Sequence, residues 1–118
     1  MEDNLKAAKE AANVKAQELS TLLNTKVHPL VFKIEGEEEF CVGYVKEPTR
    51  AVKLAVMDKS LVGMYSATGE MLDVILLREH SDPRIYSERS EDDKYYLGAV
   101  MASYELIKVA VNKADKKK

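Results

Sequence analysis

Residues 44–50, Tyr-Val-Lys-Glu-Pro-Thr-Arg, constrain this chain's fold more than any other stretch. Tyr44-Val45-Lys46 has the composition of a strand. Pro48 drives Glu47 into an extended conformation, because the proline ring clashes with a helical predecessor. Thr49 can then offer its hydroxyl to an orphan amide of a first helical turn, so a helix is expected from Arg50. The stretch reads as a rigid corner that sets a helix against a hairpin. Tyr44 and Val45 anchor opposite faces of the strand, and Lys46 and Arg50 project charge beside them. Nothing here demands catalysis.

Before the corner, Leu5, Ala8, Ala12, Ala16, Leu19 and Leu23 recur at spacings of three and four, which predicts a helix over 3–23. Alanine dominates the first half of that stripe, so it buries little area per turn. Such a helix packs peripherally on its own domain or docks on a partner. Asn24-Thr25-Lys26 ends it, and His28-Pro29 opens a strand in which Leu30, Phe32 and Ile34 alternate. Phe40, Val42 and Tyr44 alternate after the link Glu35-Gly36-Glu37-Glu38, where Gly36 can supply a positive φ. Two strands alone are marginal, so helices must cover their apolar face. The exposed edge is open to another subunit unless its charges protect it. Glu35, Glu37, Glu38 and Glu39 read as a solvated turn that discourages such pairing, with docking to a basic partner as the alternative.

After the corner the pattern is helical over 50–59, with Ala51, Leu54 and Ala55 on one face and Val52 and Val56 beside them. Leu61-Val62-Gly63-Met64 interrupts it, with Gly63 as a natural stop. Met71 to Leu77 is apolar nearly all round and predicts a central, buried helix capped by Ser66 or Thr68. Ser81-Asp82-Pro83 breaks the chain, and Arg84-Ile85-Tyr86 reads as an extended connector. Ser90 with Asp93 marks the start of the last helix. Its core stripe is expected at Leu97, Val100, Tyr104, Ile107 and Val111. The fold class is α+β: a small β-hairpin packed against about four helices in a single domain. An amphipathic N-terminal helix spans 1–26, a compact unit 27–113 and a lysine-rich tail 114–118.

At 118 residues the chain is long enough for one core without metal or disulfide. The lone Cys41 excludes an internal disulfide framework and fits a reducing compartment. No run approaches the ~20 apolar residues that span a bilayer, and Met1-Glu2-Asp3-Asn4 lacks a signal peptide's order. The expected location is the cytoplasm. Eighteen basic residues against twenty acidic give a net charge of −2, with no concentrated basic face outside the tail, so no nucleic-acid partner is expected.

Cys41 with His28 or His80 would be a thiol and base, but a cysteine among apolar strand residues reads as a small hydrophobe. Glu79, His80 and Asp82 lack the ligand spacing of zinc sites. Glu88, Glu91, Asp92 and Asp93 lack the pattern of a calcium loop. No phosphate-binding glycine motif occurs. No catalytic residue, metal or cofactor is therefore expected. Met57, Met64, Met71 and Met101 read as core, an adaptable binding surface being the alternative.

The order of elements from Val31 to Val111 resembles the tail assembly chaperones of long-tailed bacteriophages, especially versions from phages of Bacteroides-like hosts. The resemblance rests on an apolar strand, the Tyr-Val-Lys-x-Pro-Thr-Arg turn at 44–50 and the helix Ala51-Val52-Lys53-Leu54-Ala55. It continues through Met71-Leu72-Asp73-Val74-Ile75-Leu76-Leu77, an amphipathic helix and a lysine-rich end. It implies a non-enzymatic protein in the host cytoplasm that transiently covers the tape-measure protein and promotes assembly of tail-tube protein. Tyr44, Lys46, Pro48, Thr49 and Arg50, with Leu5, Leu19 and Leu23 of the first helix, are the expected partner-binding residues. A homo-oligomer is also compatible. The alternatives are a permanent virion component such as a head–tail connector or completion protein, a small hydrolase using Cys41, and a protein-binding adaptor.

Overall fold

Alternating apolar residues make two strands, and their pairing organises the rest. In the computed structural model, β1 (Val27–Phe32) and β2 (Cys41–Lys46) form an antiparallel pair in which Leu30 faces Gly43 and Val31 faces Val42. The structure describes the backbone of residues 2–116 and the side chains of 4–59 and 63–107. Val111 of the expected last stripe, the lysine-tail side chains and those of Leu61 and Val62 lie outside the described residues. Helix α1 (Glu2–Leu23) precedes the hairpin, and α2 (Arg50–Ile75) follows it. Three short 3-10 turns, Arg78–His80, Pro83–Tyr86 and Ser90–Asp92, lead to α3 (Asp93–Lys116). The fold is α+β, as the sequence implies.

Alternation gives the sheet two apolar faces, each with its own cover. On one face Val27 and Tyr44 bury against Ala12, Ala16 and Leu19 of α1, with Val31, Val42 and Leu77 beside them. On the other, Leu30, Cys41 and Val45 join Val56, Met71, Leu72 and Ile75 of α2 and Tyr95, Ala99, Val100 and Ile107 of α3. Small alanines let α1 lie close to the sheet. Asn24, in the left-handed region at φ 53°, then turns the chain into β1.

The hairpin turn closes with the Glu37 N–H donating to the Ile34 carbonyl at 2.9 Å. Gly36, at φ 89°, holds the position where a type II turn needs a positive φ. At the corner, the Thr49 hydroxyl accepts from the Val52 N–H at 3.2 Å, so α2 starts where Pro48-Thr49 places it. α2 is two arms. Its backbone is extended at Gly63 (φ −166°, ψ 89°), and residues 64–75 fold back along 50–62. Lys59 reaches Glu70 across the fold at 3.2 Å.

Several elements differ from the sequence reading. The second arm of α2 begins directly after Gly63, so Ser66 and Thr68 lie inside it rather than at a cap. Thr68 is buried and donates back to the Met64 carbonyl at 2.8 Å. That arm is not buried all round: it ends at Ile75, Val74 faces solvent, and Leu76 bridges to Val45. The connector 84–86 is a 3-10 turn, not an extended strand. Asp82 caps it by accepting from the Arg84 N–H at 3.0 Å, and the turn drives Ile85 fully into the core opposite Gly43. Ser90 lies in a 3-10 lead-in, so α3 starts at Asp93. The buried side of α3 carries Tyr95, Ala99, Val100, Ser103 and Ile107, whereas Leu97 is 58% exposed and lies off the core stripe. Met71 is core, but Met57 and Met101 are exposed.

At Gly98, α3 packs tightly against the hairpin. A Cβ there would sit 2.6 Å from Phe32 Cε2 and 2.7 Å from Cδ2. Alanine is favoured over glycine in a helix by about 1 kcal/mol, but a rigid ring cannot retreat cheaply. Gly98→Ala should therefore destabilise the protein by about 1–3 kcal/mol in urea unfolding, the usual cost of overpacking.

Candidate functional site

The strand pairing leaves one edge open. The Leu77 N–H donates to the Tyr44 carbonyl at 2.8 Å, and the Asp82 N–H donates to the Val42 carbonyl at 3.0 Å. The Ser81 hydroxyl accepts from the Tyr44 N–H at 2.9 Å. The backbone groups of Val42 and Tyr44 therefore face segment 76–82, which covers the outer edge of β2. Cys41, Gly43 and Val45 face β1, where they meet Phe32, Leu30 and His28. By the same alternation Val27, Pro29 and Val31 turn their backbone groups away from β2. The Val27 N–H confirms this direction by donating to Ser20 Oγ of α1 at 2.9 Å. Among the described residues, β1 has no strand on this second side. Pro29 has no N–H, so the open edge presents the Pro29 carbonyl and both backbone groups of Val31.

A groove of about 850 Å³ runs beside this edge. One wall is α1, through Lys9 and Asn13. The other is α3, through Leu97, Gly98 and Met101, with Phe32 and Ile34 at its base. Leu97 and Met101 are one helical turn apart and 58% and 61% exposed, so α3 offers an apolar strip that its own core does not use. Sequence periodicity assigned Leu97 to the core. The signal that could have corrected it is Gly98: glycine inside a helix marks close backbone approach, which fixes the side of α3 facing the hairpin.

Two polar clusters tie the hairpin to its helices. At the hairpin tip the Tyr95 hydroxyl donates to the Glu37 carboxylate at 2.7 and 2.9 Å, and Lys94 reaches it at 3.0 Å. The hydrogen bond from Tyr95, then that from Lys94, holds the Glu37 carboxyl below its ordinary value. Glu37 is thus a tie between hairpin and α3, not just part of a solvated turn. At the other end, His28 Nε2 and Lys53 Nζ both contact the Glu47 carboxylate. Burial alone would raise its pKa, but the hydrogen bonds from Lys53 and His28 outweigh that and lower it. Arg84 pairs with Asp82 at 2.7 Å and stacks 4.1 Å from the Tyr95 ring centroid.

The residues expected to bind a partner do not form one surface. Leu19 and Tyr44 bury against each other's elements, and Pro48 is buried at the corner. Thr49 is engaged as a cap. Lys46, Arg50 and Leu23 are exposed, and Leu5 is half-buried. Cys41 is 1% exposed, and burial, then the neighbouring Asp82 charge, pushes its thiol up to about 12. It packs as a hydrophobe and is no thiolate at neutral pH. Among the described residues, no group of three or more His, Cys, Asp or Glu side chains is placed to hold a metal. No described helix is long and apolar enough to cross a membrane. Comparison with family models, curated proteins and solved structures finds no match.

Glu47 gives a test of the corner. A lowered folded-state pKa stabilises the fold above the unfolded value, near 4.5, and that contribution is lost as pH falls through the folded value. Glu47 is 35% exposed, so solvent screening limits the worth of its ion pairs. Glu47→Gln should be less stable than the parent at pH 7 by at most ~1 kcal/mol, with the gap closing at pH 3 in urea titrations.

Proposed function

We propose that this chain is a non-enzymatic protein-binding module that works as a tail assembly chaperone, covering an apolar segment of a tape-measure protein until tail-tube protein replaces it. The observation that carries the reading is the groove at the open edge of β1, where Leu97 and Met101 stay exposed although the cores on both sides of the sheet are complete. Apolar side chains held on a rigid helix beside unused backbone groups suit reversible cover of a protein segment.

The Tyr-Val-Lys-x-Pro-Thr-Arg motif supports this reading as a scaffold, not as contact residues. It builds the corner from which α2 leaves β2, and α2 in turn supports the inner face of α3. Cys41, the only thiol, is buried and protonated, which weighs against the hydrolase alternative. The host cytoplasm is the setting this function requires.

Co-expression with the tape-measure protein of the same gene cluster should keep that protein soluble and yield a complex that elutes together. The chain should then be absent from purified particles. Unchanged solubility with no shared elution would overturn the proposal, and presence in particles at fixed copy number would mark a permanent virion component.

A further inference from the structure

The groove's two walls and its floor differ in chemistry, and together they define one kind of occupant. The floor is the edge of β1, with the Pro29 carbonyl and the Val31 N–H and carbonyl directed into the groove. An extended backbone lying alongside can satisfy all three groups, in either direction. A helix cannot, because its own amides and carbonyls are already paired. The α3 wall is apolar at its middle, through Leu97 and Met101, with the charged Lys94 and Glu105 one turn beyond at either end. The α1 wall contributes Lys9 and Asn13 and no acidic side chain.

We infer that the groove binds an extended partner segment as a third strand, with apolar side chains toward Leu97 and Met101 and acidic ones toward Lys9. The two walls select alternation, because successive residues of a strand point to opposite faces. Charge complementarity with Lys9 fixes which face is acidic. A second copy of this chain is a poor occupant: its β1 edge lies between the same two helices, and two recessed edges cannot meet. Pro29 also limits the edge to a short pairing, which keeps such binding reversible and protects the free protein from open-ended sheet growth.

The inference rests on the protein-binding reading above but not on the identity of the partner. Its probe is a fluorescein-labelled eight-residue peptide of alternating valine and glutamate, titrated by anisotropy against the full chain. Saturable binding is expected. Methylating every peptide amide nitrogen should weaken it at least tenfold, since no N–H then remains for the Pro29 and Val31 carbonyls. Leu97→Lys combined with Met101→Lys should weaken it at least tenfold with unchanged circular dichroism, as both side chains are exposed. Lys9→Glu should weaken the valine–glutamate peptide and strengthen its valine–lysine counterpart, a reversal that loss of folding cannot produce. No saturable binding, equal binding of the methylated peptide, no effect of the double substitution, or no charge reversal would each overturn the inference. So would self-association that buries the groove. Protection of the tape-measure protein without peptide binding would remove this site while leaving the chaperone reading; peptide binding without that protection would do the opposite.

Discussion

The structure depends on β2 having both of its edges occupied. On one side it pairs with β1; on the other, segment 76–82 supplies the partners that a third strand would. The Ser81 hydroxyl is central to this. It accepts from the Tyr44 N–H at 2.9 Å and donates to the Leu77 carbonyl at 2.8 Å, so one buried side chain links strand and connector. Backbone polar groups buried without partners are costly, and β2 is buried on both faces. Without segment 76–82, a two-stranded sheet could not have its second strand at the centre of the molecule.

From that arrangement the rest follows. With β2 central, β1 becomes the free edge, and the two helices that cover the sheet's faces become the walls beside it. α1 meets one face through alanines, whose small side chains allow close approach. α3 meets the other through Gly98, against the Phe32 ring. The ties from Glu37 to Lys94 and Tyr95 hold the hairpin tip to α3. Those from Glu47 to His28 and Lys53 hold the corner. These ties fix the hairpin against α3 at its tip and against α2 at its corner.

Much of this was legible in the sequence because it depends on local rules. The corner at 47–50, the positive φ at Gly36, the turn after α1 and the α+β class follow from proline, threonine, glycine and alternation. The failures are where tertiary packing decides. A heptad-like reading put Leu97 on the core stripe, but Gly98 turns a different side of α3 toward the hairpin. Ile85 looked like part of a linker, because its burial depends on the space left by Gly43, distant in sequence. In the Tyr44–Arg50 motif, Tyr44 and Pro48 are buried and Thr49 caps α2, a division of labour that only the packed corner reveals. The groove itself joins α1, β1 and α3, and no single segment encodes it.

The two strands are asymmetric: β2 is the paired interior strand and β1 the open edge. Native-state amide hydrogen exchange followed residue by residue tests this most directly. The amides of Tyr44 and Val45 should exchange only through global unfolding, while that of Val31, in the middle of β1, should exchange orders of magnitude faster. A Val31 amide protected as strongly as that of Tyr44 would mean that the edge is already paired and that β1 is no open strand.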